Sequence, residues 1–307
     1  MRVRRGTAVA TALLGAALAT AGCGLGPGAE VGSVELTVTR DYGAVPMLQR
    51  SVQARESDTV MRVLEGEAEI ETRYGGGFVH AIDGLAEQQT GPDGPYDWFF
   101  YVDGMESPIG AAEVPLEGEE RIWWDYRDWS ATNHVPAVVG SWPAPFADGV
   151  AGKRYPVALE CFGGGAACEL AREALEREGV QIAAGAPKGA IRILVGPWER
   201  LRADATAKLI EAGPGETGVF ADFEATADGY EVVALDEEGE RARGLGPDAG
   251  LVAATSRYGG PALWVVTGGT GDAVRAAAES LDAERLRDHF AVAVEDDDVT
   301  PLPVEAP

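Results

Sequence analysis

The chain predicts an α+β domain followed by an α/β domain, and three observations carry that reading. From residue 33 to about 146, short runs of alternating apolar and polar residues surround one amphipathic stretch. From 155 to 295 the rhythm changes to apolar run, helical stretch, apolar run, the pattern of βαβ-type units. Of the 307 residues 46% are apolar, enough to close a core in two ordinary domains and to exclude wholesale disorder.

An address precedes the first domain. Arg2, Arg4 and Arg5 stand before an uncharged run over 6–21 that ends in small residues, the layout of a secretory signal peptide over 1–22. A membrane-spanning helix needs about 20 predominantly apolar residues, and this run is shorter and rich in Ala, Gly and Thr. Thr20-Ala21-Gly22-Cys23 resembles the bacterial lipobox, with Thr20 where Leu, Val or Ile is usual. The resemblance implies that Cys23 is diacylated and becomes the new amino terminus, with the protein on the outer face of the cell membrane. Two or more acyl chains anchor stably, since each buried methylene contributes about 0.8 kcal/mol. Ordinary secretory cleavage, with Cys23 incidental, is the alternative. Residues 23–32 then read as a Gly-rich tether.

The first domain covers 33–148. Alternation in Val34-Glu35-Leu36-Thr37-Val38 places Val34, Leu36 and Val38 on one face of a strand. Ser57, Asp58 and Thr59 offer N-caps for a helix carrying Val60, Val63 and Leu64. Gly75-Gly76-Gly77 breaks the next stretch. Strands are expected at 78–82, 98–102 and 121–126, with turns at Gly91-Pro92-Asp93-Gly94 and Asp103-Gly104.

The second domain covers 149–295. Strands are expected at 155–159, 191–195, 230–235, 263–266 and 290–294, and helices at 167–178, 199–211 and 272–281. Ile193-Leu194-Val195-Gly196, a helix and Val219-Phe220-Ala221 parallel Val265-Val266-Thr267-Gly268, a helix and Phe290-Ala291-Val292, which suggests a weak internal repeat beside the chance βαβ spacing of any α/β chain. Residues 296–307, acidic and Pro-containing, read as a solvated tail.

Charge and cysteines narrow the function. Against 25 basic residues stand 50 acidic ones, a net charge of −25 that repels phosphate backbones, and the three lysines form no basic stripe. Nucleic acid is excluded as a partner. In an exported chain Cys161 and Cys168 are expected to form a disulfide, contributing about 2–3 kcal/mol through the unfolded state. Two cysteines without clustered histidines make no zinc site.

Catalytic constellations are missing as well. There is no Gly-x-Ser-x-Gly elbow, no His-Glu-x-x-His and no Walker loop, and His80, His134 and His289 lie far apart in sequence. Thr267-Gly268-Gly269-Thr270-Gly271 opens a helix but lacks the Walker lysine, so it reads as a turn and helix start. Carboxylate pairs arise freely in so acidic a chain. No enzyme activity, metal or cofactor is expected.

The aromatic density is more informative. Five of seven tryptophans, Trp98, Trp123, Trp124, Trp129 and Trp142, fall within 45 residues. In Trp98-Phe99-Phe100-Tyr101-Val102 both faces of a strand are aromatic, and Trp123-Trp124 repeats the condition. One face can fill the core, and the other needs a cover: the second domain, a neighbouring protein or a planar apolar ligand. The candidate ligand-binding residues are Phe99, Tyr101, Trp123 and Trp129, with His134 nearby in sequence.

These residues also carry a family resemblance. The order runs from Val34-Glu35-Leu36-Thr37-Val38 through Ser57-Asp58-Thr59-Val60 to Trp98-Phe99-Phe100-Tyr101-Val102-Asp103-Gly104. It continues with Gly110-Ala111 and Leu116-Glu117-Gly118-Glu119, and closes on Ile122-Trp123-Trp124-Asp125-Tyr126. Over residues 33–130 this resembles the bacterial domain of unknown function related to the C-terminal domain of transcobalamin and intrinsic factor. Asp103 stands for the usual Asn, Phe100 for the first Tyr of the pattern and Glu119 for the usual Asp. The resemblance implies a β-grasp-like fold and an extracellular ligand-binding ancestry, with cobalamin the ligand of the animal proteins. It also implies a role beside energy-coupling-factor transporters for some bacterial members. The expectation is thus a membrane-anchored, non-enzymatic lipoprotein that binds a small vitamin or cobalamin-like ligand or serves a transporter. The alternative is a structural or interaction module whose aromatics pack between domains or against a partner, and a hydrolase comes third.

Overall fold

The computed structural model describes residues 28–90, 94–163, 165–227, 229–257 and 259–306. The expected signal peptide, Cys23 and most of the turn Gly91-Pro92-Asp93-Gly94 lie outside the described residues. The chain is mixed α+β with sheet predominating over helix.

Alternation in the first half builds two sheets. In chain order come β1 (Glu30–Arg40), β2 (Val45–Arg55), α1 (Val60–Glu67), β3 (Ile70–Arg73), β4 (Phe78–Ile82), β5 (Leu85–Ala86), β6 (Tyr96–Val102), β7 (Met105–Glu106) and β8 (Arg121–Asp128). A five-stranded sheet has the order β2-β1-β8-β6-β7, with β1 and β8 parallel and the other pairs antiparallel. β3, β4 and β5 form a small antiparallel sheet. Thr59 caps α1 as its spacing predicts, its hydroxyl oxygen accepting from the Arg62 amide at 3.3 Å. The helix buries Val60, Met61, Val63 and Leu64 against Val34, Leu36, Val38, Trp98 and Trp124. Phe100 stacks on Trp124 on that same side, with centroids 4.7 Å apart.

The second half supplies α2 (Ala144–Ala147), β9 (Val157–Cys161), α3 (Ala166–Arg177), β10 (Ile191–Val195), α4 (Trp198–Leu201) and α5 (Pro214–Thr217). Next come β11 (Ala221–Thr226), β12 (Gly229–Leu235), β13 (Arg241–Gly244), β14 (Gly250–Ser256), β15 (Ala262–Gly268), α6 (Gly271–Glu279), α7 (Ala283–Leu286), β16 (Ala291–Glu295) and β17 (Asp298–Leu302). A six-stranded sheet has the order β17-β16-β14-β15-β10-β9, in which β9, β10 and β15 run parallel and the remaining pairs are antiparallel. Its strands are apolar on both faces, as sheets covered on both sides require. Ile191, Ile193, Val195, Val252, Val266 and Val292 pack with α3 and α6, while Leu194, Leu251, Ala253, Leu263 and Val265 pack toward the first half and the sheet β11-β12-β13. The Cys161–Cys168 disulfide forms as expected, tying the end of β9 to the first turn of α3.

Four expectations need correction. The first strand begins at Glu30, which pairs with Arg55, so residues 30–32 belong to the sheet rather than to the tether. Residues 298–302 are not solvated tail: β17 pairs along β16, Leu302 is 1% exposed and Val304 packs on the core. The helix expected at 199–211 is broken into α4 and a 3-10 turn at Ala207–Ala212. Asp204 causes the break by accepting the Thr206 and Ala207 amides at 2.8 and 3.1 Å while it holds Arg192 at 2.8 Å. The internal repeat does not survive in the topology, because the strand after β10 joins the three-stranded sheet whereas β16 stays in the six-stranded one.

Candidate functional site

Strand register separates the two aromatic faces. Tyr101 lies opposite Trp123 in the β6–β8 pair, one residue out of phase with Phe100 and Trp124, so it faces away from α1. Tyr101 is 0% and Trp123 3% exposed. Phe290, entering from the second half, meets both edge-on at 5.6 and 5.1 Å, and Tyr42 joins it at 5.1 Å while contacting Phe220 at 4.8 Å. Phe99 is half-buried beside this cluster under the Arg127 guanidinium, which stands 3.8 Å from its ring. Trp129 is half-buried at the end of β8, its amide donating to the Pro95 carbonyl at 3.0 Å. Phe99, Tyr101 and Trp123 therefore share one cluster that also holds both halves together. Gly43 records how closely they approach, since a Cβ there would sit 1.9 Å from the Asp288 carbonyl oxygen.

His134 lies elsewhere, on an open cleft. A cavity of about 670 Å³ runs between the β6–β7 turn, the irregular segment that follows β8, and the β14–β15 turn. Its apolar lining includes Val102, Met105, Ile109, Pro115 and Tyr155. Apart from the Tyr155 phenol, Glu106 and His134 carry the ionisable groups of that lining. His134 Nδ1 stands 2.6 Å from Glu106 Oε2, which also accepts the Val135 amide at 3.0 Å. Burial raises the Glu106 pKa, against the pull of His134 and Arg127. The two serines of the cleft are engaged with main-chain carbonyls, Ser107 with Ile109 and Ser256 with Arg257 and Gly260.

Behind the cleft the charges are buried. Arg127 is 0% exposed, donates from Nη1 to the Thr132 carbonyl at 3.0 Å, and has no hydrogen-bond partner for Nε or Nη2 among the described residues. Burial works against its charge, but Tyr101, Tyr42, Glu106 and Asp125 more than compensate and hold its pKa up. Asp125, fully buried, accepts from the Thr39 hydroxyl and from the Tyr42 and Gly43 amides at 3.1 and 3.0 Å, and burial pushes its pKa to about 6. Glu106, Arg127, Tyr42 and Phe290 are the residues sequence reasoning did not select. Register was the available signal for Glu106, which lies opposite Tyr101 in the β6–β7 pair.

Among the described residues no group of three or more His, Cys, Asp or Glu side chains is placed to hold a metal, and no helix is long and apolar enough to cross a membrane. No curated protein matches the chain. Residues 57–128, from two residues before the cap of α1 to the end of β8, match the family model of DUF4430, a domain of unknown function.

Proposed function

We propose that the protein is a membrane-anchored extracellular lipoprotein that binds a small ligand without transforming it, and that the interdomain cleft beside His134 is the binding site. One observation carries this reading: the cleft is mostly apolar, large enough for a drug-sized molecule, and holds a few placed polar groups, among them the hydrogen-bonded Glu106 and His134, the composition of small-molecule sites. The hydroxyls of Ser107 and Ser256, the serines of the lining, donate to main-chain carbonyls rather than to His134, which favours binding over hydrolysis. The lipobox-like Thr20-Ala21-Gly22-Cys23 supports the anchor. The packing of α1 on the five-stranded sheet supports a β-grasp-like, transcobalamin-related first domain, and α3 between the parallel strands β9 and β10 supports a βαβ-type second domain. At 670 Å³ the cleft suits a vitamin smaller than a whole corrinoid, and delivery to an energy-coupling-factor-type transporter is the corresponding partner reading.

A second reading is favoured by a different observation. Tyr101 and Trp123 are closed over by Phe290, as expected of aromatics that bind the two halves to each other in a structural or interaction module. Thermal melting with cobalamin and a panel of smaller vitamins separates the two. A ligand that raises the melting temperature of the native protein but not of Ile109→Asp supports the cleft, Ile109 being 47% exposed and free to change without unfolding the chain. No shift with any member of the panel supports the structural reading instead.

A further inference from the structure

The two sulfurs of the Cys161–Cys168 bridge stand in different surroundings. Cys161 ends β9, the edge strand of the six-stranded sheet, and is exposed. Cys168 is 9% exposed and is the third residue of the 12-residue helix α3. One sulfur is open to an incoming group, and the other lies in the first turn of a helix. Gly165, at the N-cap of α3, has no side chain with which to accept the first-turn amides. The positive end of the helix is thus left for a negative charge that forms beside it.

The acidic neighbours of the bridge are already paired. Glu160 holds Arg192 at 2.5 Å, Glu169 holds Arg172 at 3.7 Å and Asp272 holds Arg275 at 3.8 Å. Their charges are matched locally, so the end of α3 remains the unbalanced field at Cys168. A cavity of about 330 Å³, lined by Cys168 together with Phe162, Pro197 and Val274, gives a released Cys168 side chain room to move. The backbone of Cys161 is held independently of the bridge, because it pairs with Val195 in β10. Opening the bridge therefore unties β9 from α3 and leaves the sheet intact.

We propose that the bridge is a thiol-exchange site, with Cys161 the sulfur attacked by a low-molecular-weight thiol and Cys168 the leaving group. The incoming thiolate bonds to Cys161 Sγ and forms a mixed disulfide. The bond between the two Sγ atoms breaks, and its electron pair stays on Cys168 as a thiolate at the start of α3. Attack on the other sulfur is disfavoured twice, because Cys168 is shielded and because the thiolate would then leave from a strand end with no helix amides around it. 2-Mercaptoethanol tests this on the intact protein, since it carries no charge but that of the reacting sulfur into a chain of net charge −25. After acid quenching and maleimide alkylation, peptide mass spectrometry is expected to find the mercaptoethanol adduct on Cys161 and the maleimide on Cys168. The rate should be proportional to the thiol and insensitive to urea below the unfolding transition. Ala166→Asp and Ala166→Lys, at the exposed first position of α3, separate a polarised bridge from a merely accessible one. Aspartate in the first turn stabilises a helix, yet here it should slow exchange about two- to fivefold, and lysine should speed it by a similar factor. An adduct on Cys168, exchange only where urea unfolds the chain, or equal rates in the native protein and both variants overturns the proposal and leaves the bridge a structural tie.

Discussion

Phe290 shows how one side chain can decide the meaning of several others. Trp98-Phe99-Phe100-Tyr101 and Trp123-Trp124 declare in sequence that two faces are aromatic, but which face stays open depends on Phe290, a ring much further along the chain. Phe290 is buried and meets Tyr42, Tyr101 and Trp123 edge-on, the arrangement that the ring quadrupole favours. Phe290→Ala is expected to cost about 3–5 kcal/mol, measured by urea unfolding, with a red shift of the Trp123 emission as water reaches the cavity. A loss under about 1 kcal/mol would mean that the halves cohere without this cluster. At the same scale, His134 was legible in sequence only as a polar residue near aromatics. Glu106 gives it a partner, and that pairing arises because the β6–β7 turn brings Glu106 beside the segment that follows β8.

Elements followed the sequence where periodicity was strong and departed from it where tertiary partners competed. The cap at Thr59, the alternation of β1 and the helix α3 follow their local patterns. β2 escaped notice because, as an edge strand, it exposes most of its residues and shows no clean alternation, and β14 because a continuous run of small apolar residues has no period at all. β17 is the instructive case. Asp296 and Asp297 turn the chain back so that 298–302 pairs with β16 and Leu302 reaches the core, a gain that acidic composition does not reveal. Leu302→Ala should therefore destabilise by about 2–5 kcal/mol, and deletion of 298–307 should do so more strongly by baring the β16 edge. Chemical denaturation of both variants checks this, and unchanged midpoints would restore the solvated tail.

Across the molecule, the raised carboxylates share a sign. Burial pushes Asp97 and Asp125 to about 6 and Asp103 and Glu237 to about 7. Asp103 accepts the Arg121 and Ala151 amides, both at 2.9 Å, through its two carboxylate oxygens, a double acceptor role that an Asn, with one oxygen, cannot fill in the same way. Each of these groups binds its proton more tightly folded than unfolded. Stability must therefore fall as pH rises from about 4, the unfolded value, through the folded values of 6 to 7. Relief of self-repulsion in a chain of net charge −25 acts in the same direction. Asp204 and Glu211, whose pKa values are lowered, lose their contribution only below about 4. The melting temperature is expected to be higher at pH 5 than at pH 8, and a flat or rising profile over that interval would show that these carboxylates are hydrated.

The sequence by itself determined the two rhythms of the chain, the Cys161–Cys168 bridge, the two-faced aromatic strands and the acidity, because propensity, periodicity and charge are local or summed properties. The six-stranded order, the burial of Tyr101 and Trp123 by Phe290, and the meeting of Glu106 with His134 were decided only by tertiary structure. Residues far apart in the chain come together there, and no local pattern encodes which partner covers an exposed face or which carboxylate an imidazole will find.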